Sequence, residues 1–160
     1  MAEKILEVQN LKKTFLSGKK SFTAVEDVSF FLNAGEVLGI VGESGSGKSV
    51  TARSIIKLLP ETATTSGAVY LSKRDGSDSL DVLSLSGEQL REVRGSEAAM
   101  VFQEPNSVLN PVYTIGWQIE EGLRAHGMKD KKELRAKAIN ILKKVGIPDA
   151  ETRVDYYPHQ

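Results

Sequence analysis

Five consecutive apolar residues, Val37-Leu38-Gly39-Ile40-Val41, run straight into the loop Gly42-Glu43-Ser44-Gly45-Ser46-Gly47-Lys48-Ser49. No other stretch restricts the fold as much. A continuous apolar run is what a strand covered on both faces requires, and the spacing predicts a helix from Lys48 through Leu59, stopped by Pro60. Strand, glycine loop and helix in that order point to an α/β domain. Gly42, Gly47, Lys48 and Ser49 match G-x-x-x-x-G-K-[S/T]. The glycines let the backbone curl so that successive N–H groups face inward, and the helix start adds its positive end to the same place. Such a cradle suits the phosphates of a purine nucleotide, with Lys48 reaching the β- and γ-phosphates and the Ser49 hydroxyl placed to ligate Mg²⁺. ATP with Mg²⁺ is the expected ligand.

The rest of the chain reads as strands first and helices last. Ile5 to Val8 and Val25 to Leu32 are expected strands, as is Glu36 to Val41, with Asn33-Ala34-Gly35 supplying the turn before it. Ala68 to Leu71 is a further short strand, Ser72 to Ser79 a solvated loop, and Ser86 the cap of a helix through Arg94. Ala98 to Phe102 is a second buried-strand candidate. Helices are expected over Thr114 to His126 and Lys129 to Val145, the latter with Leu134, Ala138, Ile141, Leu142 and Val145 recurring on one face. This sheet calls for more strands than the 160 residues supply.

Composition removes several function classes. Lys plus Arg equals Asp plus Glu at 21 each, so no overall field draws the chain to nucleic acid. Without cysteine, and with only His126 and His159, thiolate and zinc sites are excluded and metal chemistry must use oxygen ligands. The start, MAEKILEVQN, lacks a signal-peptide core, and nothing approaches the ~20 apolar residues that span a bilayer. The expectation is a soluble cytoplasmic protein, free to dock on membrane-spanning partners.

Three segments resemble the ATP-binding cassette (ABC) ATPases of membrane transporters. GEVLGIVGESGSGKSVT is similar to their first phosphate-binding segment. MVFQEPNSVLNPVYTIGWQI is similar to the glutamine-loop segment of the subgroup serving oligopeptide, dipeptide and nickel importers, and VGIPDAETRVDYYPHQ also resembles that subgroup. The resemblance implies a P-loop NTPase fold of the ABC type: an N-terminal β subdomain, the start of a RecA-like core and part of a helical subdomain. Residues 1–160 would form the front of one such domain.

Carried over position by position, the resemblance gives Gln103 the catalytic role of approaching Mg²⁺ and the attacking water, making it a metal-site candidate with Ser49. It gives Phe15 the role of stacking on adenine, with Phe22 as competitor because Ser17 to Ser21 resembles an insertion that blurs register. The nucleotide-binding set is then Phe15 with Gly42, Glu43, Ser44, Gly45, Ser46, Gly47, Lys48, Ser49 and Val50. The stretch from Asn106 to Trp117 resembles the surface that faces transmembrane permease subunits. A second ATP-binding subunit is the other implied partner, and a peripheral place at the inner face of the cell membrane the implied location.

The sequence also departs from the family pattern. It ends at Tyr157-Pro158-His159-Gln160, which in the family lies just before a signature of the type LSGGQ. That signature, the aspartate-ending strand, the catalytic glutamate and the switch histidine are therefore expected beyond it. Leu85-Ser86-Gly87-Glu88-Gln89 imitates the signature but precedes Gln103 and carries Glu88 where a glycine belongs, so it reads as a helix start. Ala98 to Phe102 leads into Gln103-Glu104-Pro105, a poor setting for a catalytic base. Two functions result: the ATP-binding subunit of an importer of peptides or a similar small solute, or a nucleotide-binding fragment with little or no turnover. A small phosphate-loop kinase is disfavoured because Arg91, Arg94, Arg124 and Arg135 are scattered on helical faces rather than gathered into a lid.

Overall fold

The computed structural model describes residues 3–18, 20–60, 62–76, 78–102 and 108–160. They form two compact units, Met1–Ala99 and Met100–Gln160. The first holds strands β1 (Lys4–Ser17), β2 (Lys20–Asn33), β3 (Ala63–Leu71) and β4 (Leu80–Asp81), with helices α1 (Lys48–Ile55) and α2 (Gly87–Ser96). The second holds α3 (Ile115–Ala125), α4 (Lys131–Lys144) and α5 (Ala150–Arg153).

The four strands make one antiparallel sheet in the order β2-β1-β3-β4. Strict alternation along β1 would bury Leu6 and Val8 and then expose Leu11 and Lys13. A bulge prevents that: Asn10 takes φ +47°, opposite Asp27 at +54°, and the Asn10 side chain donates to the Asp27 carboxylate at 2.7 Å. The shift in register puts Val8, Leu11 and Lys13, all buried, on the same face. Beside the bulge in β3 sits Gly67 at φ +99°, where a Cβ would lie 2.5 Å from the Gln9 carbonyl oxygen. The core of this unit is Val8, Leu11, Val25, Val69, Leu71, Val82 and Val93, with Val50 and Ile55 of α1 and Leu90 of α2 packed against it.

Several expectations change. The strand expected over Ile5 to Val8 is the opening of a 14-residue strand paired with an equally long β2, because the bulge at Asn10 lets the pairing continue past Val8. Helix α1 stops at Ile55, not at Leu59: Lys57 takes φ +51°, and Arg94 donates to the carbonyls of Ile56 and Lys57, so the helix is capped before Pro60 acts. Glu36 to Val41 is not a strand. Val37 and Val41 are 97% and 92% exposed, since no strand among the described residues hydrogen-bonds to them. Ala98 to Phe102 likewise makes only one bridge, Arg94 to Ala98, and leaves Val101 open to solvent. Both runs have the composition of a central strand without neighbours on either edge.

In the second unit the helix limits follow local caps. Thr114 accepts from the Trp117 N–H and Asp130 from the Glu133 N–H. Ala138 and Leu142 of α4 pack with Ala150 and Val154, supported by Ile115, Ile119 and Ile139. Leu134 is also buried, but Ile141 and Val145 of the expected face are exposed, so the true stripe is narrower. Gly116 allows the close approach: its N–H donates to the Val154 carbonyl at 2.7 Å, and a Cβ would lie 2.5 Å from Val154 Cγ2. Arg135 grips Asp155 with two N–H groups, one at 2.7 Å, and this hydrogen bonding holds the Asp155 carboxyl below its usual range.

Gly67→Ala is expected to cost about 3 kcal/mol, because a strained φ and a backbone clash add. Gly76→Ala, at φ +73° with nothing nearby, should cost about 1 kcal/mol; urea midpoints of the two variants decide. For Asp155 the lowered folded pKa means that its contribution is complete above its unfolded value of about 3.9 and fades as pH falls through the folded one. Because the pair is largely exposed, wild type should exceed Asp155→Asn by at most about 1 kcal/mol at pH 7, and the gap should shrink in melts below about pH 3.5.

Candidate functional site

The glycine loop is held against the hairpin by one backbone contact. Gly47 is the N-cap of α1 at φ +88°, and a Cβ on it would sit 2.4 Å from the Ala24 carbonyl oxygen of β2. Only glycine fits there, for both reasons. One turn later Thr51 is buried, and its N–H and hydroxyl both donate to the Gly47 carbonyl, at 2.8 and 3.0 Å. These bonds fix the first turn of the helix beneath the loop.

Lys48 then turns back into the loop. Its ammonium donates to the carbonyls of Gly42 at 2.8 Å and Glu43 at 2.7 Å, with the Ser46 hydroxyl at 3.4 Å. A turn bond from Ser46 N–H to the Glu43 carbonyl, at 3.2 Å, closes the curl around it. The loop is thus a ring of backbone about a cation, with no acidic side chain in the first turn of α1 to compete for that charge.

Beside the ring lies a cavity of about 240 Å³ lined by Phe15, Phe22, Ala24 and Gly45 through Val50. Phe15 and Phe22 are direct partners across β1 and β2, so their side chains stand on one face of the hairpin. The sequence posed them as competitors; the structure brings both to the same cavity, Phe15 half-buried and Phe22 exposed. Ligand pockets commonly run ~300–1,000 Å³, so this open groove covers part of a ligand. Aromatic faces at one end and an ammonium with a helix start at the other suit a flat ring joined to an anion.

Gly42, Glu43 and Ser44 lie outside the cavity wall; the first two act through their carbonyls on Lys48. Ser49 and Val50 line it. Gln103 lies outside the described residues, as does Asn106, so neither can be placed. Among the described residues no group of three or more His, Cys, Asp or Glu could hold a metal, and the hydroxyl-bearing residues that line the groove are Ser46 and Ser49. Ala24 and Thr51 were missed from sequence. Nothing local marks a carbonyl that a distant glycine must approach, and Thr51 reads as an ordinary helix residue.

Comparison with known proteins gives consistent results. Residues 25–160 match the family described as ABC transporter. A peptide import ATP-binding protein of Brucella abortus (strain 2308) is 47% identical over 156 residues, covering 98% of this chain and 46% of its own. One of Brucella melitensis biotype 1 is 42% identical over 158 residues with the same coverage. The chain thus spans a little under half the length of these relatives. Among solved structures, the ATP-binding cassette MJ0796, bound to ADP and Pi in a dimeric post-hydrolysis state, superposes with a TM-score of 0.73 at 27% identity, over 97% of this chain and 62% of that one. CbiO1 from Clostridium perfringens, described as part of an ABC transporter complex, gives 0.62 at 25% identity, over 98% and 55%.

Gly47→Ala should push the loop away from Ala24 and abolish saturable nucleotide binding while leaving most helix content intact. Calorimetric titration alongside far-UV circular dichroism checks both halves. Retained wild-type affinity would show that the close approach is dispensable.

Proposed function

We propose, for a chain that belongs to the ABC transporter family, that these residues form the ATP- and Mg²⁺-binding front of an importer's energising subunit. The observation that carries this reading is the Lys48 ammonium ringed by the Gly42 and Glu43 carbonyls next to the Phe15–Phe22 groove. Lys48 exchanges those carbonyls for β- and γ-phosphate oxygens, a trade of neutral acceptors for charged ones that strengthens each bond. Backbone N–H groups from Gly45 to Val50 complete the cradle. Phe15 and Phe22 receive the base. Ser49 supplies a hydroxyl to Mg²⁺, which when bound offsets charge on the β- and γ-phosphates. Gln103 is assigned to orient the attacking water.

Peptides, or a similar small solute, are the proposed cargo, because the Brucella relatives are named for peptide import. A second ATP-binding subunit is the proposed nucleotide-sharing partner; the groove covers only part of a nucleotide by itself, and MJ0796 is described as dimeric. Permease subunits are assigned to the stretch from Asn106 to Trp117. Its described part exposes Val108, Val112 and a stacked Tyr113–Trp117 pair with centroids 4.1 Å apart. No helix among the described residues is long and apolar enough to cross a membrane, which suits a cytoplasmic subunit held at the inner face of the membrane by those partners. Among the described residues the one strand that ends on an aspartate is the two-residue β4 at the edge of the antiparallel sheet, and none is a long apolar strand beside the loop, so nucleotide binding with little or no hydrolysis is the activity proposed for this stretch by itself.

Titration with Mg·ATP should show saturable binding that weakens at least tenfold in Lys48→Ala, about 1.4 kcal/mol or more. Phe15→Ala and Phe22→Ala should each weaken ATP by about 1 kcal/mol and leave inorganic triphosphate unchanged. Binding indifferent to loss of the Lys48 ammonium would refute the assignment.

A further inference from the structure

The other end of α1 carries a second concentration of positive charge. Eight residues of helix place it about 12 Å along the axis from the loop. There a cavity of about 380 Å³ is bounded by Lys13, Ser54, Lys57, Thr65, Ser86 and Arg94 together with apolar residues. Three cations share it, and no carboxylate among the described residues lines it.

Each cation is held by neutral oxygens. Lys13 is 4% exposed, and its ammonium donates to the Ala63 carbonyl at 3.0 Å and to the Thr65 hydroxyl. Lys57 donates to the carbonyls of Leu83 at 3.0 Å and Leu85 at 2.7 Å. Arg94 uses Nε on Ile56 and one Nη on Lys57. A lysine has three N–H donors and an arginine five, so these bonds leave N–H groups over on all three. The six recorded ion pairs of the described residues all lie elsewhere, involving neither Lys13, Lys57 nor Arg94. Burial first, and then the neighbouring Lys57 charge, pulls the Lys13 ammonium below the usual lysine range.

Gathering like charges in a partly enclosed space, one of them almost wholly removed from water, is costly without a counter-charge. Capping the end of α1 accounts for Arg94 alone. It gives no reason for Lys13 to point from the core face of β1 toward the same space.

We propose that this cavity is a second anion site, taking a small soluble phosphate compound between Lys13, Lys57 and Arg94, with the Thr65 and Ser86 hydroxyls beside it. Arg94 offers planar N–H groups to a phosphate and the lysines act as point charges. The volume admits a diphosphate or a small sugar phosphate, a different occupant from the nucleotide at the loop.

Pyrophosphate tests it, with the chain carrying Lys48→Ala so that the loop does not compete. Calorimetry should give saturable binding, and amide shifts in ¹H–¹⁵N spectra should centre on Lys57 and on Ala63 through Thr65. Lys13→Met and Lys57→Met should each weaken binding at least tenfold, whereas Lys137→Met should not change it. Should Lys13→Met fail to fold, the shift map and Lys57→Met decide. No saturation at millimolar pyrophosphate, shifts confined to Gly42 through Val50, or equal affinity in the methionine variants would overturn the site. So would sedimentation with phosphatidylglycerol vesicles in the absence of any pyrophosphate binding.

Discussion

The approach of Gly47 to the Ala24 carbonyl governs how this molecule is put together. The cation-bearing loop with the helix start that continues it, and the aromatic hairpin, belong to two separate stretches of chain, and this contact is where they meet. A side chain at Gly47 would force the loop off β2 and separate the Lys48 ring from Phe15 and Phe22. The rest of the unit supports that junction from below, with Val25 of β2 and Val50 of α1 joining the same core. Binding geometry and core packing are thus one structure, and damage to either is felt in both.

What could be read from sequence was what is encoded locally. The glycine loop depends on a few adjacent residues with special backbone freedom, and the helix after it begins at Lys48 as the spacing predicts. Helices α3 and α4 likewise carry their own caps in Thr114 and Asp130. The aromatic pair was half legible: Phe15 and Phe22 could be named, but their partnership is set by the hairpin register that runs unbroken from Ser17 opposite Lys20 to Thr14 opposite Thr23, which no hydropathy pattern announces. Val37 to Val41 shows the opposite limit. Its composition describes the environment of a central strand, while pairing is a property of neighbours, and in the described residues those neighbours do not pair with it.

Charge gives a related lesson. An equal count of acids and bases predicts no overall field, and none is needed for the chemistry at α1. What matters is that acids and bases are sorted. On the surface, Lys12 meets Glu26, Arg124 meets Glu120 and Arg135 meets Asp155, exposed pairs worth little individually. Around α1 the cations Lys48, Lys13, Lys57 and Arg94 are instead satisfied by carbonyls and hydroxyls. A neutral acceptor holds a cation in place without cancelling its charge.

That distinction bears on how a phosphate site is kept ready. Were Lys48 paired with a carboxylate, an arriving phosphate would have to displace a full negative charge, and much of the attraction would be spent on the exchange. Held by the Gly42 and Glu43 carbonyls, the ammonium is ordered in advance but remains electrically unsatisfied. The cost of ordering a long side chain falls on folding rather than on binding. The fold meets that cost through the same backbone curl that the glycines permit, so orientation of the cation and shape of the cradle have a single origin.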